Sequence, residues 1–79
     1  MFKNKSPDGK LNICHQNITQ LRKSKKLSQR ALAEQMQLLG LDLNKNAIQK
    51  IESGQRFVTD LELKIFAQFF GVTTDSLLS

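Results

Sequence analysis

The chain has 79 residues, a net charge of +5 and a single cysteine. That bounds it to one small domain, close to the size below which a core no longer sustains itself, and it excludes an intramolecular disulfide or a multi-cysteine metal site. No apolar run approaches a membrane span and "MFKNKSPDGKLNIC" has no apolar signal segment, so a reducing, cytoplasmic setting with no membrane partner is expected.

The charge is lopsided. Residues 1–30 carry eight Lys or Arg against one acid, Asp8, whereas after Arg56 the only base is Lys64, alongside Asp60, Glu62 and Asp75. A one-sided basic field attracts polyanions such as DNA, RNA or an acidic membrane surface. Excess lysine also serves solubility, so charge by itself leaves both readings open.

Residues 1–10 are polar and hold the turn signal Pro7-Asp8-Gly9; they are expected to form a flexible arm ahead of a domain spanning 11–79. Leu11, Cys14, Ile18 and Leu21 recur at helical spacing and predict a first helix over 11–25, ending in the cations of "KSKK". Ser28 is an N-cap for a second helix over 29–38, with Ala31, Leu32, Met36 and Leu39 facing inward and Gly40 as its stop. "LGLDLN" then predicts a loop whose leucines tuck in.

Asn44 caps a third helix that Gly54 ends. This is the stretch "LNKNAIQKIESGQR". A wheel puts Asn44, Ile48, Ile51 and Glu52 on one side, and Asn46, Gln49, Lys50 and Ser53 on the other, with Lys45 at the rim. "TDLE" at 59–62 has capping-box form, which explains an acid at Glu62 within an apolar stripe. Leu61, Ile65, Phe66, Phe69 and Phe70 give the fourth helix a strong amphipathic pattern, stopped by Gly71. A short fifth helix follows Thr73 or Thr74. With no strand-like alternation, the chain is expected to be all-α with five helices. Four of its five phenylalanines lie between 57 and 70, so the core is expected to centre on the fourth helix.

Ala33 is small enough for a neighbouring helix to cross closely, with Leu32, Ile48 and Ile51 as anchors. At this point the chain resembles a known family. "LRKSKKLSQRALAEQM" followed by "AIQKIESGQRFVTDLELKIFAQFFGVTTDSLL" is similar to the helix-turn-helix domains of phage Cro and CI-type repressors and of xenobiotic-response-element regulators. The likeness runs from about Ile18 to Leu78. It lies in the order of "LR", "LSQ" with "LA", "I..IESG" and "L..FA..FGV", each weak alone and specific together.

The resemblance implies a lambda-repressor-like fold whose third helix lies in the DNA major groove. Lys45, Asn46, Gln49 and Lys50 would then meet base edges: lysine donates to guanine O6 and N7, and Asn or Gln makes a two-point contact with adenine. An ordinary solvated helix face carries the same residue types, and it is the family likeness that favours readout. Gln29, at the start of the second helix, would touch a phosphate. Arg30, Ser53, Gln55 and Arg56 are further phosphate candidates, with Lys23, Lys25 and Lys26 adding background charge. The likeness also implies that Arg22 pairs with Glu52 as a structural clasp. The family connection between helices two and three has three or four residues; here it is lengthened by about five, with Gln37 where the turn glycine would fall.

Cys14 and His15 are adjacent but point about 100° apart on a helix, so they form no ready pair. No zinc site can be completed from them, and neither a metal nor a cofactor is expected. Cys14 reads as a core residue and His15 as a surface one. No carboxylate pair, nucleophile–base pair or phosphate-cradling loop is visible, so an enzyme is not expected. The expected function is a sequence-specific, double-stranded-DNA-binding transcriptional regulator, a repressor acting as a homodimer on DNA. The alternative is a protein-interaction module, such as the antitoxin of a toxin–antitoxin pair, using the leucines of 38–43 and the C-terminal "SLLS" on a protein partner.

Overall fold

A computed structural model describes residues 9–79, which form five helices and, among the described residues, no strand. They are α1 (His15–Ser24), α2 (Gln29–Leu38), α3 (Lys45–Glu52), α4 (Asp60–Phe70) and α5 (Thr74–Leu78). Pro7 and Asp8 of the expected turn, and most of the expected arm at 1–10, lie outside the described residues.

Short polar side chains start four of the helices. The Ser28 hydroxyl accepts from the Ala31 amide at 3.0 Å, and the Asn44 carbonyl oxygen from the Ala47 amide at 2.8 Å. Thr59 and Glu62 close a reciprocal capping box, and Thr73 accepts from the Ser76 amide at 3.0 Å. Each such cap satisfies an amide that lacks an intrahelical partner, worth about 1 kcal/mol. Gly71 ends α4 in the left-handed conformation (φ +71°), open to glycine at no steric cost.

α1 departs from expectation. It begins at His15 rather than at 11, because residues 10–14 are drawn away as a strap across the end of α3. The Leu11 amide donates to the Gly54 carbonyl at 2.8 Å, and the Asn12 side chain donates to the carbonyls of Ile51 and Arg56 at 3.1 and 2.8 Å. Lys10 is half-buried in the same strap, and its aliphatic stem crosses Gly54.

The core draws on all five helices rather than centring on α4. Cys14, Ile18, Leu32, Met36, Ile48, Ile51, Phe66 and Leu77 are all at most 1% exposed. Ala33, expected to allow a close helix crossing, is buried on α2. Two expected inward residues face out instead: Leu39 is 48% exposed and Leu61 59%. Leu39 caps α2 at the point where the chain turns away, and Leu61 sits in the first turn of α4, beyond the core's edge. At the far end the Asn17 side chain donates to the carbonyl of Leu77 at 2.8 Å, fastening α5 to α1.

The lengthened connection is an ordered feature. Gly40 turns the chain with φ +96°, the Leu41 amide returns to the Met36 carbonyl, and the Gln37 side chain donates to the Leu43 carbonyl at 2.8 Å. Leu41 and Leu43 are thereby buried, each contributing about 2 kcal/mol of apolar burial. Leu38, the last residue of α2, stays 80% exposed. Among the described residues no helix is long and apolar enough to cross a membrane.

Candidate nucleic-acid interface

α3 is held from one side. Ile48 and Ile51 are fully buried, whereas Lys45, Asn46, Gln49 and Lys50 are all exposed. Among the described residues, none of these four side chains has a hydrogen-bond or ion-pair partner. Asn46 and Lys50 line one open depression with Asn44, Ala47, Gln55 and Arg56. Base-facing and phosphate-facing candidates therefore adjoin, and the depression offers donors from side chains of both kinds. Asn44 and Ala47 had no place among the sequence candidates. In sequence Asn44 reads as a cap, and Ala47 carries no polar signal.

The inner edge of α3 is a charged junction. The Arg22 guanidinium grips Glu52 in a two-point contact, Nε to Oε2 at 2.6 Å and Nη2 to Oε1 at 3.1 Å. Arg22 Nη1 also donates to the Leu27 carbonyl at 2.7 Å. The two side chains are only 12% and 7% exposed, so the pair is largely shielded from solvent. Gln29 joins it, its amide donating to Glu52 Oε1 at 3.0 Å. One carboxylate thus collects donors from α1 and α2 and ties both to α3. The Gln29 amide, expected to face a phosphate, is here directed at Glu52.

Arg56 is likewise engaged. Its guanidinium meets Glu62 through Nη1–Oε1 and Nη2–Oε2, both 3.0 Å, and donates to the Phe57 carbonyl. Burial pushes the Glu62 carboxyl up, but the Arg56 guanidinium and the Thr59 amide and hydroxyl outweigh it, and it ends below the ordinary glutamate range. The same hydrogen bonds raise Arg56 above its usual value. Of the remaining phosphate candidates, Gln55 and Arg30 are exposed, and half-buried Ser53 donates its hydroxyl to the Lys50 carbonyl at 3.1 Å. Lys23, Lys25 and Lys26 are exposed, with Lys25 lying over the Phe69 ring at 5.5 Å.

Cys14 is buried, its thiol 3.5 Å from the Asn12 side-chain oxygen, and burial pushes its pKa up to about 11. His15 opens α1 beside it. Among the described residues no three His, Cys, Asp or Glu side chains gather to hold a metal.

Comparison with known proteins gives three findings. A family model described as "Helix-turn-helix" matches residues 18–77. The HTH-type transcriptional activator BcrR of Enterococcus faecalis is 42% identical over 65 residues, 82% of this chain but 29% of that protein, so the chain spans under a third of its curated relative. The crystal structure of the DNA-binding domain of BldD matches with a TM-score of 0.70 at 25% identity, over 86% of this chain and 92% of that one.

Proposed function

Since the chain belongs to the helix-turn-helix family of the xenobiotic-response-element type, we propose that it is a DNA-binding transcription regulator that reads the major groove with α3. The observation that carries the reading is the division of α3: two isoleucines wholly inside, four unpartnered donors wholly outside. A helix held in this way fits a major groove, where Lys45 and Lys50 suit guanine edges and Asn46 and Gln49 suit adenine. Gln55, Ser53 and Arg30 serve as phosphate contacts, with Arg56 and Gln29 joining by exchanging an internal carboxylate for a phosphate oxygen. The described part of the proposed domain, 11–79, holds all of these groups.

A domain of this size reads few base pairs. Two copies on half-sites about one helical turn apart would supply the missing specificity, so a homodimer on DNA is proposed. Repression is the proposed outcome, because occupying DNA obstructs transcription without any further contact. A cytoplasmic location follows from the proposed target.

The second reading, a protein-interaction module, draws on Leu38 and Leu39, 80% and 48% exposed at the end of α2. Selection of bound duplexes from a random pool separates the two. DNA readout predicts a shared motif, palindromic if the protein dimerises, and an affinity that falls linearly in log–log terms with salt at a slope of about −0.9 per phosphate neutralised. A pool that returns no motif, with retention insensitive to salt, refutes the DNA reading.

A further inference from the structure

We propose that Asn12, in the strap ahead of α1, is a positioning residue for DNA reading that fixes the spacing between the base-facing helix and the phosphate-facing segment after it; the proposal rests on the DNA-binding reading above. Asn12 is a polar side chain only 9% exposed and belongs to none of the five helices. Its amide nitrogen carries two hydrogens, and these go to two different places. One reaches the Ile51 carbonyl in the last turn of α3, at 3.1 Å, and the other the Arg56 carbonyl, at 2.8 Å. Both partners only accept, so the nitrogen must face them, and the amide oxygen is left for the Cys14 thiol at 3.5 Å.

Two neighbours tighten the same junction. The Leu11 amide donates to the Gly54 carbonyl at 2.8 Å. The Lys10 stem occupies the space beside Gly54, where an added Cβ would come within 2.6 Å of Lys10 Cδ, and Gly54 has φ +78°. Position 54 is thus restricted to glycine by both backbone and space. Carbonyls 51, 54 and 56 are all tied to one strap. The base-facing candidates Lys45, Asn46, Gln49 and Lys50 lie before this tie, and Ser53, Gln55 and Arg56 lie within it.

Phosphate contacts set a protein's register on the duplex, and base contacts supply discrimination. Discrimination is realised only when both sets reach their targets together. One amide group bridging the end of α3 to Arg56 holds the two sets in register. Removing it leaves every contacting side chain in place but loosens the spacing between the sets, which the Leu11–Gly54 and Gln55–Lys50 backbone bonds then hold alone. Binding to arbitrary DNA should therefore survive while preference for the selected motif falls.

The test compares the Kd for the selected duplex with that for a scrambled duplex, at a temperature where circular dichroism shows each variant folded. Asn12→Ala is expected to cut the ratio about tenfold, what one mismatched base pair costs. Asn12→Asp should cut it at least as far, since a carboxylate repels both carbonyls. Scrambled-duplex affinity and its salt slope should stay at wild-type values. Leu77→Val, which loosens the core from α5, should leave the ratio unchanged. Should the Asn12 variants not fold, hydrogen exchange of the wild-type Asn12 side-chain amide serves instead. It is expected to slow further on the selected duplex than on the scrambled one, and equal exchange on both overturns the proposal. An unchanged ratio in folded Asn12→Ala, or an equal fall in Leu77→Val, also overturns it. A wild-type chain without sequence preference removes the DNA reading and this inference with it, a result distinct from the preceding ones.

Discussion

Glu52→Ala tests the junction that holds α3. The substitution removes the acceptor for Arg22 Nε and Nη2 and for the Gln29 amide. Arg22 keeps only its bond to the Leu27 carbonyl, with its charge 12% exposed and unpaired. Breaking a buried pair by deleting one partner costs about 3–5 kcal/mol. The lower end applies here, because Glu52 borders an open depression between α1 and Ser53 from which water can reach the orphaned guanidinium. For 79 residues the unfolding entropy near the midpoint is about 0.17 kcal/mol/K, so a loss of about 3 kcal/mol lowers Tm by about 18 °C. Domains of this size hold about 4–12 kcal/mol in all, so most of that range leaves the variant folded in the cold. Thermal and urea melts followed by circular dichroism read the change. The double variant Arg22→Met with Glu52→Met, which replaces the pair by apolar bulk, should be well above the single variant in stability. A loss under about 1 kcal/mol for Glu52→Ala, the range of exposed pairs, would refute this account, as would a double variant no better than the single.

The Glu62 carboxyl titrates below its unfolded value, so its stabilisation is present above the unfolded glutamate pKa and is lost as pH falls through the lower folded one. The urea-midpoint gap between wild type and Glu62→Gln should accordingly narrow on acidification below about pH 4.3, and a gap independent of pH would contradict the pairing with Arg56. Cys14, buried with a thiol pKa near 11, should resist alkylation at pH 8 in the native chain and react on addition of urea; native labelling at the free-thiol rate would contradict its burial.

What could be read from the sequence was what repeats locally. Ser28, Asn44 and the Thr59–Glu62 box each announce a helix start within three or four residues, and all three cap as their spacing predicts. The isoleucines of α3 follow from the helical period. What escaped was pairing across distance. The spacing of Leu11, Cys14 and Ile18 suits a helix, yet the chain before His15 is not helical because Asn12 finds its partners 39 and 44 residues away. Periodicity carries no trace of such a partner, although a lone Asn between Leu11 and Ile13 was a local hint. The resemblance points Gln29 at a phosphate, and makes Arg56, just after the third helix, a further candidate. Both turn toward carboxylates, Glu52 and Glu62, that no local pattern ties to them. In the lengthened connection leucines alternate, and burial of Leu41 and Leu43 but not Leu39 depends on the turn at Gly40.

The central claim is that the outward row of α3 reads DNA. Its most direct measurement is the affinity of Asn46→Ala with Lys50→Ala for the motif selected by the wild-type chain. Loss of two base contacts at about 1–3 kcal/mol each predicts a Kd raised at least about thirtyfold, with affinity for scrambled duplex falling far less. An unchanged motif bound with unchanged affinity would contradict it.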